Sequence, residues 1–346
     1  MLTWQLSHYA GMKLASPVQH RPVLTAAPAS EVRRAFVRVC RNRQHFPPDA
    51  DIWHLRFYRH TQLPQILSRV NQGRWVLSPM TLVRRADGTR CAVWSAADAV
   101  VINALTLSIT PLLPVSGRCE HIAGHGGGKQ SLHRAQDIIR REGFTFVCRT
   151  DIRDYYANIR HDLLSQFLHY TVEEGGNFHS PRQGIPRASA LSPLLAAFHL
   201  TETDRHFEQQ PHLRYARFMD DFLIFARTRH HLRKAVKALN RFLASYGFVK
   251  HPEKTFIGRI EKGTDWMGFR LDDKGCGKPA PRAVNNMLQK LRRLYEQARH
   301  LTASQRQARV AQYLKRWLRW ARLIHKIMHS DTEHIGCQVT TSMRIG

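Results

Sequence analysis

The sequence predicts an α+β fold centred on an antiparallel sheet built in the order β-α-β-β-α-β. Three observations carry that expectation. Short apolar runs over 144–151, 215–226 and 256–271 have strand composition and turn signals at their ends. Between them, apolar residues recur at helical spacing, most clearly Leu232, Val236, Leu239, Leu243 and Tyr246. The succession is that of a split βαβ unit, which would place helices on one face of the sheet.

Taken in order, residues 1–50 mix Pro, Ala and Arg without lasting periodicity and read as a loosely organised basic lead-in. Across 51–143 the pattern is mixed, with helices expected over 96–109 and 131–142. In the second of these Leu132, Ala135, Ile138 and Ile139 share a face and Gly143 supplies the stop. The strand at 144–151 opens the most regular stretch, 144–272. Ser192 as N-cap with Pro193 at N1 would start a helix bearing Leu194, Leu195 and Phe198. Residues 215–226 read as two strands around a turn, and Gly247 ends the helix that follows. Gly275, Gly277, Pro279 and Pro281 read as a hinge before two further helices over 284–295 and 310–328. In the last, Val310, Tyr313, Trp317, Trp320, Ile324 and Met328 form an apolar stripe, while Lys315, Arg319, Arg322 and Lys326 line another face. A basic face of this kind is either a solvated surface or a track for a phosphate backbone, and its uniform sign favours the track.

Composition narrows the function classes. Among 346 residues, 53 Lys and Arg face 26 Asp and Glu, for a formal charge of +27. An excess that large points to a polyanionic partner, nucleic acid first, because bound phosphates release counterions. With 43% hydrophobic residues, seven Trp and 16 Phe, intrinsic disorder is excluded for most of the chain. Cys40, Cys91, Cys119, Cys148, Cys276 and Cys337 show neither a CxxC pair nor metal-ligand spacing, which argues against a zinc ribbon or disulfide scaffold and for a reduced, cytoplasmic setting. The 21 histidines contain no HExxH pattern, so no zinc is assigned. The apolar stretch 99–115 is broken by Asn103, Pro111 and Pro114, short of the roughly 20 residues of a span, and the N-terminus lacks a secretory pattern. A soluble protein without a membrane partner is expected.

In the split sheet, Asp151 ends the first strand while Asp220 and Asp221 occupy the central hairpin turn, so three carboxylates would converge. Converging carboxylates repel unless a cation lies between them, and hard oxygen ligands favour Mg²⁺, with Mn²⁺ a possible substitute. Two such ions, about 4 Å apart, would clamp the attacking and leaving oxygens of an in-line phosphoryl displacement. The segment GHGGGKQS at 124–131 has the glycines of a phosphate cradle, but Gln130 after the lysine and Ala123 at the early glycine position exclude a P-loop. Lys129, with Arg84 or Arg85, is the expected triphosphate contact; a structural glycine turn is the equal alternative.

DIRDYYANI at 151–159, RQGIPRASALSPLL at 182–195, RYARFMDDFLIFA at 214–226, HPEKT at 251–255 and DWMGFRL at 265–271 resemble, in order, the palm motifs of reverse transcriptases. The likeness is greatest to the bacterial group II intron-like branch. It implies a right-hand polymerase: fingers at 51–143, palm at 144–272, a helical thumb at 283–330 and a tail at 331–346. It also implies RNA-directed DNA synthesis with an RNA template, a DNA or RNA primer and dNTPs, and a structured non-coding RNA as a possible further partner. The setting would be a mobile element, antiviral defence or a domesticated gene. Alternatives are a template-independent or DNA-templated polymerase and a non-catalytic RNA chaperone or splicing factor that keeps the fold.

By the same resemblance Asp151, Asp220 and Asp221 match the metal-binding carboxylates. Tyr156 matches the steric gate against a ribose 2′-OH, with a core aromatic as the alternative. Gln183, Gly184, Ile185 and Pro186 match the loop against the templating pair. Lys254 matches the residue that protonates departing pyrophosphate, with an ordinary surface lysine as the alternative. Ala188, Phe218, Met219 and Ala197 depart from the family's usual residues. They lie in the site's walls and bear on fidelity and nucleotide geometry more than on the reaction.

Overall fold

The computed structural model describes residues 27–84, 90–161, 171–187 and 189–322. In chain order the elements are α1 (Ala29–Asn42), α2 (Asp51–Phe57), α3 (Arg59–Asn71), β1 (Met80–Arg84), β2 (Arg90–Val93), α4 (Ala96–Ile109), α5 (Gly127–Glu142), β3 (Phe146–Asp151), α6 (Tyr155–Asn158), β4 (Val172–Glu174), β5 (Asn177–His179), α7 (Ser192–His199), α8 (Thr201–Glu208), β6 (Leu213–Phe218), β7 (Asp221–Ala226), α9 (Arg229–Ser245), β8 (Phe256–Arg259), β9 (Thr264–Trp266), β10 (Phe269–Asp272), β11 (Gly275–Pro279), α10 (Pro281–Gln297) and α11 (Ala303–Ala321). They form two compact units, one from Met1–Ser116, Arg153–Thr203 and Ala244–Phe248, the other from Gly117–Ile152, Asp204–Leu243 and Val249–Gly346. The units interleave along the chain. Among the described residues no helix is long and apolar enough to cross a membrane.

In the first unit α4 is apolar on every side and sits at the centre, with α1 packed against it. Ser95 caps α4: its Oγ accepts from the Asp98 N–H at 3.1 Å. The Asp98 carboxylate in turn accepts from Trp75 Nε1 at 2.9 Å and the Ser78 N–H at 3.1 Å. Helix α1 corrects the expected loose lead-in over its span. Val32, Ala35, Phe36 and Val39 are buried at helical spacing, while Arg33, Arg34, Arg38 and Arg41 take the outer side. Those interleaved arginines masked the periodicity. A four-stranded sheet of order β2-β1-β4-β5 completes this unit, with β1 and β4 parallel. Helix α7 starts at Ser192 with Leu191 as its cap residue, so Ser192 is buried inside the helix rather than capping it.

The second unit carries the sheet expected from the sequence. Its order is β6-β7-β3-β8, antiparallel throughout, which is the β-α-β-β-α-β topology. Along β6 the burial alternates, with Leu213, Tyr215 and Arg217 buried. The face of Tyr215 meets α8, where Phe207 stacks on it at 5.2 Å, and α9 packs behind through Phe242 against His206 at 5.1 Å. The opposite face is also covered: Leu132, Ala135 and Ile139 of α5 form one core with Val147, Leu223, Phe225, Trp266, Phe269 and Leu271. The last three belong to a separate sheet, β11-β10-β9. Two readings are thereby corrected. The run 256–271 is not one strand but β8 plus a second small sheet. The expected hinge at Gly275 to Pro279 is strand β11, with Cys276 buried and paired to Leu271. Helix α11 closes on that sheet through Trp320, whose ring lies 4.4 Å from Phe269.

Candidate active site

The sheet's register places the carboxylates. Asp151 at the end of β3 lies directly opposite Asp221 at the start of β7. Phe218 pairs with Asp221, leaving Met219 and Asp220 as a two-residue hairpin loop, and the Ile152 N–H donates to the Asp220 carbonyl at 3.1 Å. Met219 has φ 56°, the positive value that primed two-residue turns demand at their first loop position. Glycine or asparagine adopts it freely, whereas in a residue such as Met it costs about 1–2 kcal/mol.

Two cations hold this cluster. Lys254 Nζ lies 2.7 Å from Asp151 Oδ2, and Arg149 Nη2 lies 2.9 Å from Asp221 Oδ1. Arg149 also donates through Nη1 to the Lys254 carbonyl at 2.6 Å. Sequence reasoning missed Arg149. The signal was its place two residues before Asp151, on the same strand face by the period of two. Both cations line a cavity of about 400 Å³ with Asp265, Arg270 and Arg282.

Among the described residues no three His, Cys, Asp or Glu side chains are gathered to hold a metal ion as they stand, and Asp151 and Asp221 engage Lys254 and Arg149. The donors nevertheless fit a divalent cation on two counts. Asp151 Oδ1 is buried and accepts no hydrogen bond. The Asp221 carboxyl is pushed up to about 6, first by burial; Arg149 opposes this, Asp220 and Asp151 add to it, and Lys254 opposes it again. Carboxylates that repel in a dry site are relieved by positive charge.

That shift predicts a stability effect. A carboxyl whose folded value lies above its unfolded value stabilises the fold below about pH 4, and that contribution is lost as pH rises through about 6. At neutral pH the ionised Asp221 therefore costs the fold on the order of 1–3 kcal/mol. In metal-free buffer at pH 7.5, Asp221→Asn should melt several degrees above the wild type, with the gap shrinking as pH falls from 6 toward 4. Equal melting midpoints at pH 7.5 would show that the repulsion is already relieved within the protein.

Tyr156, Gln183 and Gly184 fall in the first unit and are gathered there. The Ile185 N–H donates to the Tyr156 carbonyl and the Gly184 N–H to the Ile159 carbonyl, both at 2.8 Å, and Gln183 Nε2 donates to Asn158 Oδ1 at 3.1 Å. Gly184 has φ 86°, and a Cβ on it would press within 3.2 Å of the Ala157 carbonyl oxygen, which accounts for the glycine. The core-aromatic role belongs to the neighbour: Tyr155 is buried and its hydroxyl donates to the Ala196 carbonyl at 2.6 Å, while Tyr156 stays partly exposed.

Lys129 is exposed in the first turn of α5. The glycines before it have a structural use. Gly126 has φ 99° and starts the helix, and the Gly127 N–H donates to the Glu120 carbonyl at 3.1 Å. Gly128 packs toward Phe218 and Met267. The backbone of Arg84 ends β1, and Arg85 lies outside the described residues. On α11 Lys315 and Arg319 are exposed, as is Arg322 just past its end, while Tyr313, Trp317 and Trp320 are partly buried; Lys326 lies outside the described residues.

Behind the hairpin turn lies a second group that sequence reasoning missed. Arg217 is fully buried and pairs with Asp204 in a fork, Nε to Oδ1 at 2.8 Å and Nη2 to Oδ2 at 2.5 Å. Its remaining nitrogen, Nη1, donates to the Met219 carbonyl at 2.9 Å, and the Met219 N–H donates to His121 Nδ1 at 3.0 Å. The available signal was an arginine at the buried phase of an alternating strand, after Leu213 and Tyr215.

Residues 101–271 match the family model described as reverse transcriptase (RNA-dependent DNA polymerase). The match covers just under half of the chain, and the α+β architecture built on an antiparallel sheet agrees with the fold of that family. Among solved structures the chain is similar to a telomerase from Candida albicans in complex with a fragment of telomeric RNA, with 13% identity and a TM-score of 0.38, covering 66% of this chain and 49% of that one. Chains of a partial Cas6-RT-Cas1–Cas2 complex and of a Cas6-RT-Cas1–Cas2 complex are similar at 18% identity and a TM-score of 0.34, covering 62% of this chain and 41% and 25% of theirs. The chain spans less than half the length of each of these three. No curated protein matches the sequence.

Proposed function

We propose that this chain, whose residues 101–271 resemble a reverse transcriptase domain, extends a primer 3′-OH with dNTPs on an RNA template. The observation that carries the reading is the cross-strand pairing of Asp151 with Asp221 beside the Asp220 turn, with a buried oxygen of Asp151 left to accept a cation. Asp151, Asp220 and Asp221 would hold two Mg²⁺ ions, with Mn²⁺ as a substitute. When bound, these supply positive charge to the attacking and leaving oxygens of an in-line displacement. Lys254 Nζ, already at Asp151, would then deliver a proton toward the departing pyrophosphate. Lys129, with Arg84 or Arg85, would face the triphosphate, and Lys315, Arg319, Arg322 and Lys326 the template-primer duplex. The motif likeness carries the reading on to the group II intron-like branch, to a structured non-coding RNA as partner, and to a setting in a mobile element, in defence or in a domesticated gene, while the cysteine pattern favours the cytoplasm.

The test is extension by the purified chain of one primer annealed to an RNA template, to a DNA template, or alone. RNA-templated synthesis is expected to dominate. Extension confined to DNA or to the unannealed primer would replace this reading with a DNA-templated or template-independent one, and no extension on any substrate would leave a nucleic-acid-binding protein that keeps the fold. The gate gives a finer expectation. Tyr156→Ala should raise ribonucleotide incorporation relative to dNTP by about 100-fold, the discrimination that contact with one added hydroxyl supplies. Unaltered sugar selection would remove Tyr156 from the gate.

A further inference from the structure

We infer that Arg217, held by Asp204, and His121 are positioning residues that fix the left-handed backbone of Met219 and thereby aim Asp220 and Asp221. The inference rests on the polymerase reading of those carboxylates. A salt bridge serving the core alone would use two nitrogens of the guanidinium, and Nε and Nη2 already engage both oxygens of Asp204. The third nitrogen is instead directed at the Met219 carbonyl, one residue before Asp220. From the other side, His121 accepts the Met219 N–H, so both polar groups of one strained residue are gripped by side chains rather than by the sheet.

The clamp is itself anchored. Tyr215 donates to Asp204 Oδ1 at 2.6 Å. The Arg217 N–H donates to the Arg118 carbonyl at 2.9 Å, and the Glu120 N–H donates to the Arg217 carbonyl at 2.8 Å. The segment carrying His121 is thus stitched along the outer edge of β6 and cannot drift from the turn. Without the clamp a Met at positive φ would relax toward ordinary backbone, and the loop that presents both aspartates would lose its single geometry. Supporting groups behind a metal-binding carboxylate are worth about 10–100-fold in affinity or activity.

The experiment uses the full chain with His121→Ala, His121→Asn and Arg217→Lys, reading thermal melting, kcat and KM for dNTP in primer extension, and Mn²⁺ affinity by paramagnetic resonance. Asn sets an acceptor oxygen near the place of Nδ1, and Lys keeps the charge but gathers its donors on one nitrogen in place of the fork that spans Asp204 and the Met219 carbonyl. His121→Ala should lower kcat about tenfold and weaken Mn²⁺ binding, with KM and melting close to wild type, and His121→Asn should recover most of both. Arg217→Lys should lose about 10–100-fold in kcat and in Mn²⁺ affinity. Folded variants that all stay within twofold of wild type in kcat and Mn²⁺ affinity would overturn the clamp while leaving the polymerase reading intact. If the wild type extends no primer but the variants weaken Mn²⁺ binding in this pattern, the polymerase reading falls and the clamp stands. Should Arg217→Lys fail to fold, the His121 pair decides the matter.

Discussion

Primer extension by Asp220→Asn is expected to fall by about a thousandfold or more, with little change in melting or in affinity for a template-primer duplex. Three decades in rate correspond to about 4 kcal/mol of lost transition-state stabilisation. Removing a single preorganised group that meets developing charge in a dry site is enough to cost that much. Asparagine is nearly isosteric, so the turn's backbone contacts persist, including the Ile152 N–H to the residue-220 carbonyl. What disappears is one negative charge from the place in a +27 chain where the sheet brings Asp151 and Asp221 together. Duplex affinity depends on the basic surface and its phosphate contacts, and that surface is untouched. Single-turnover extension and a salt-matched duplex titration measure the two quantities separately. A variant that extends at the wild-type rate would dismiss Asp220 from the reaction.

The parts of this architecture that were legible in the sequence are those written in local period. Helix α4 matches its expected span, and α9 follows the spacing from Leu232 to Leu243. Helix α5 begins four residues before the expected 131, because three glycines in succession look like a loop until Gly126 turns the chain into the helix. The strands around Asp151 and Asp221 were legible because their order fixes a split βαβ topology, and register then places the carboxylates opposite one another. What escaped were pairings over long separations. Strands β9 to β11 read as one strand and a hinge because Gly275 and Gly277 signal a turn in isolation, whereas pairing with β10 and burial of Cys276 beneath α5 make them a strand. The same holds for the site. The aspartates announce themselves as an unusual pair at a turn, but the groups that hold them, Arg149, Arg217, Asp204 and His121, are single residues whose partners lie 72, 13 and 98 positions away.

The buried Arg217–Asp204 pair separates stability from catalysis in a way that can be measured. Asp204→Ala should destabilise the protein by about 3–5 kcal/mol, because it leaves a guanidinium without its counter-charge where no water reaches. Arg217 and Asp204 both have fully buried side chains, so nothing in the surroundings can solvate the survivor. Replacing the pair by apolar residues of similar volume, Asp204→Leu with Arg217→Met, removes both charges at once and should return most of that stability, since a buried ion pair and a packed apolar contact are often close in net value. Tyr215 would lose its acceptor in either variant, which keeps the recovery below completion. The recovered protein should nevertheless remain slow in extension, because a methionine at 217 offers no donor to the Met219 carbonyl. Denaturant melts of the single and double variants test the first half, and kcat of the double variant tests the second. A double variant that recovers both stability and rate would mean that the ion pair serves the core alone.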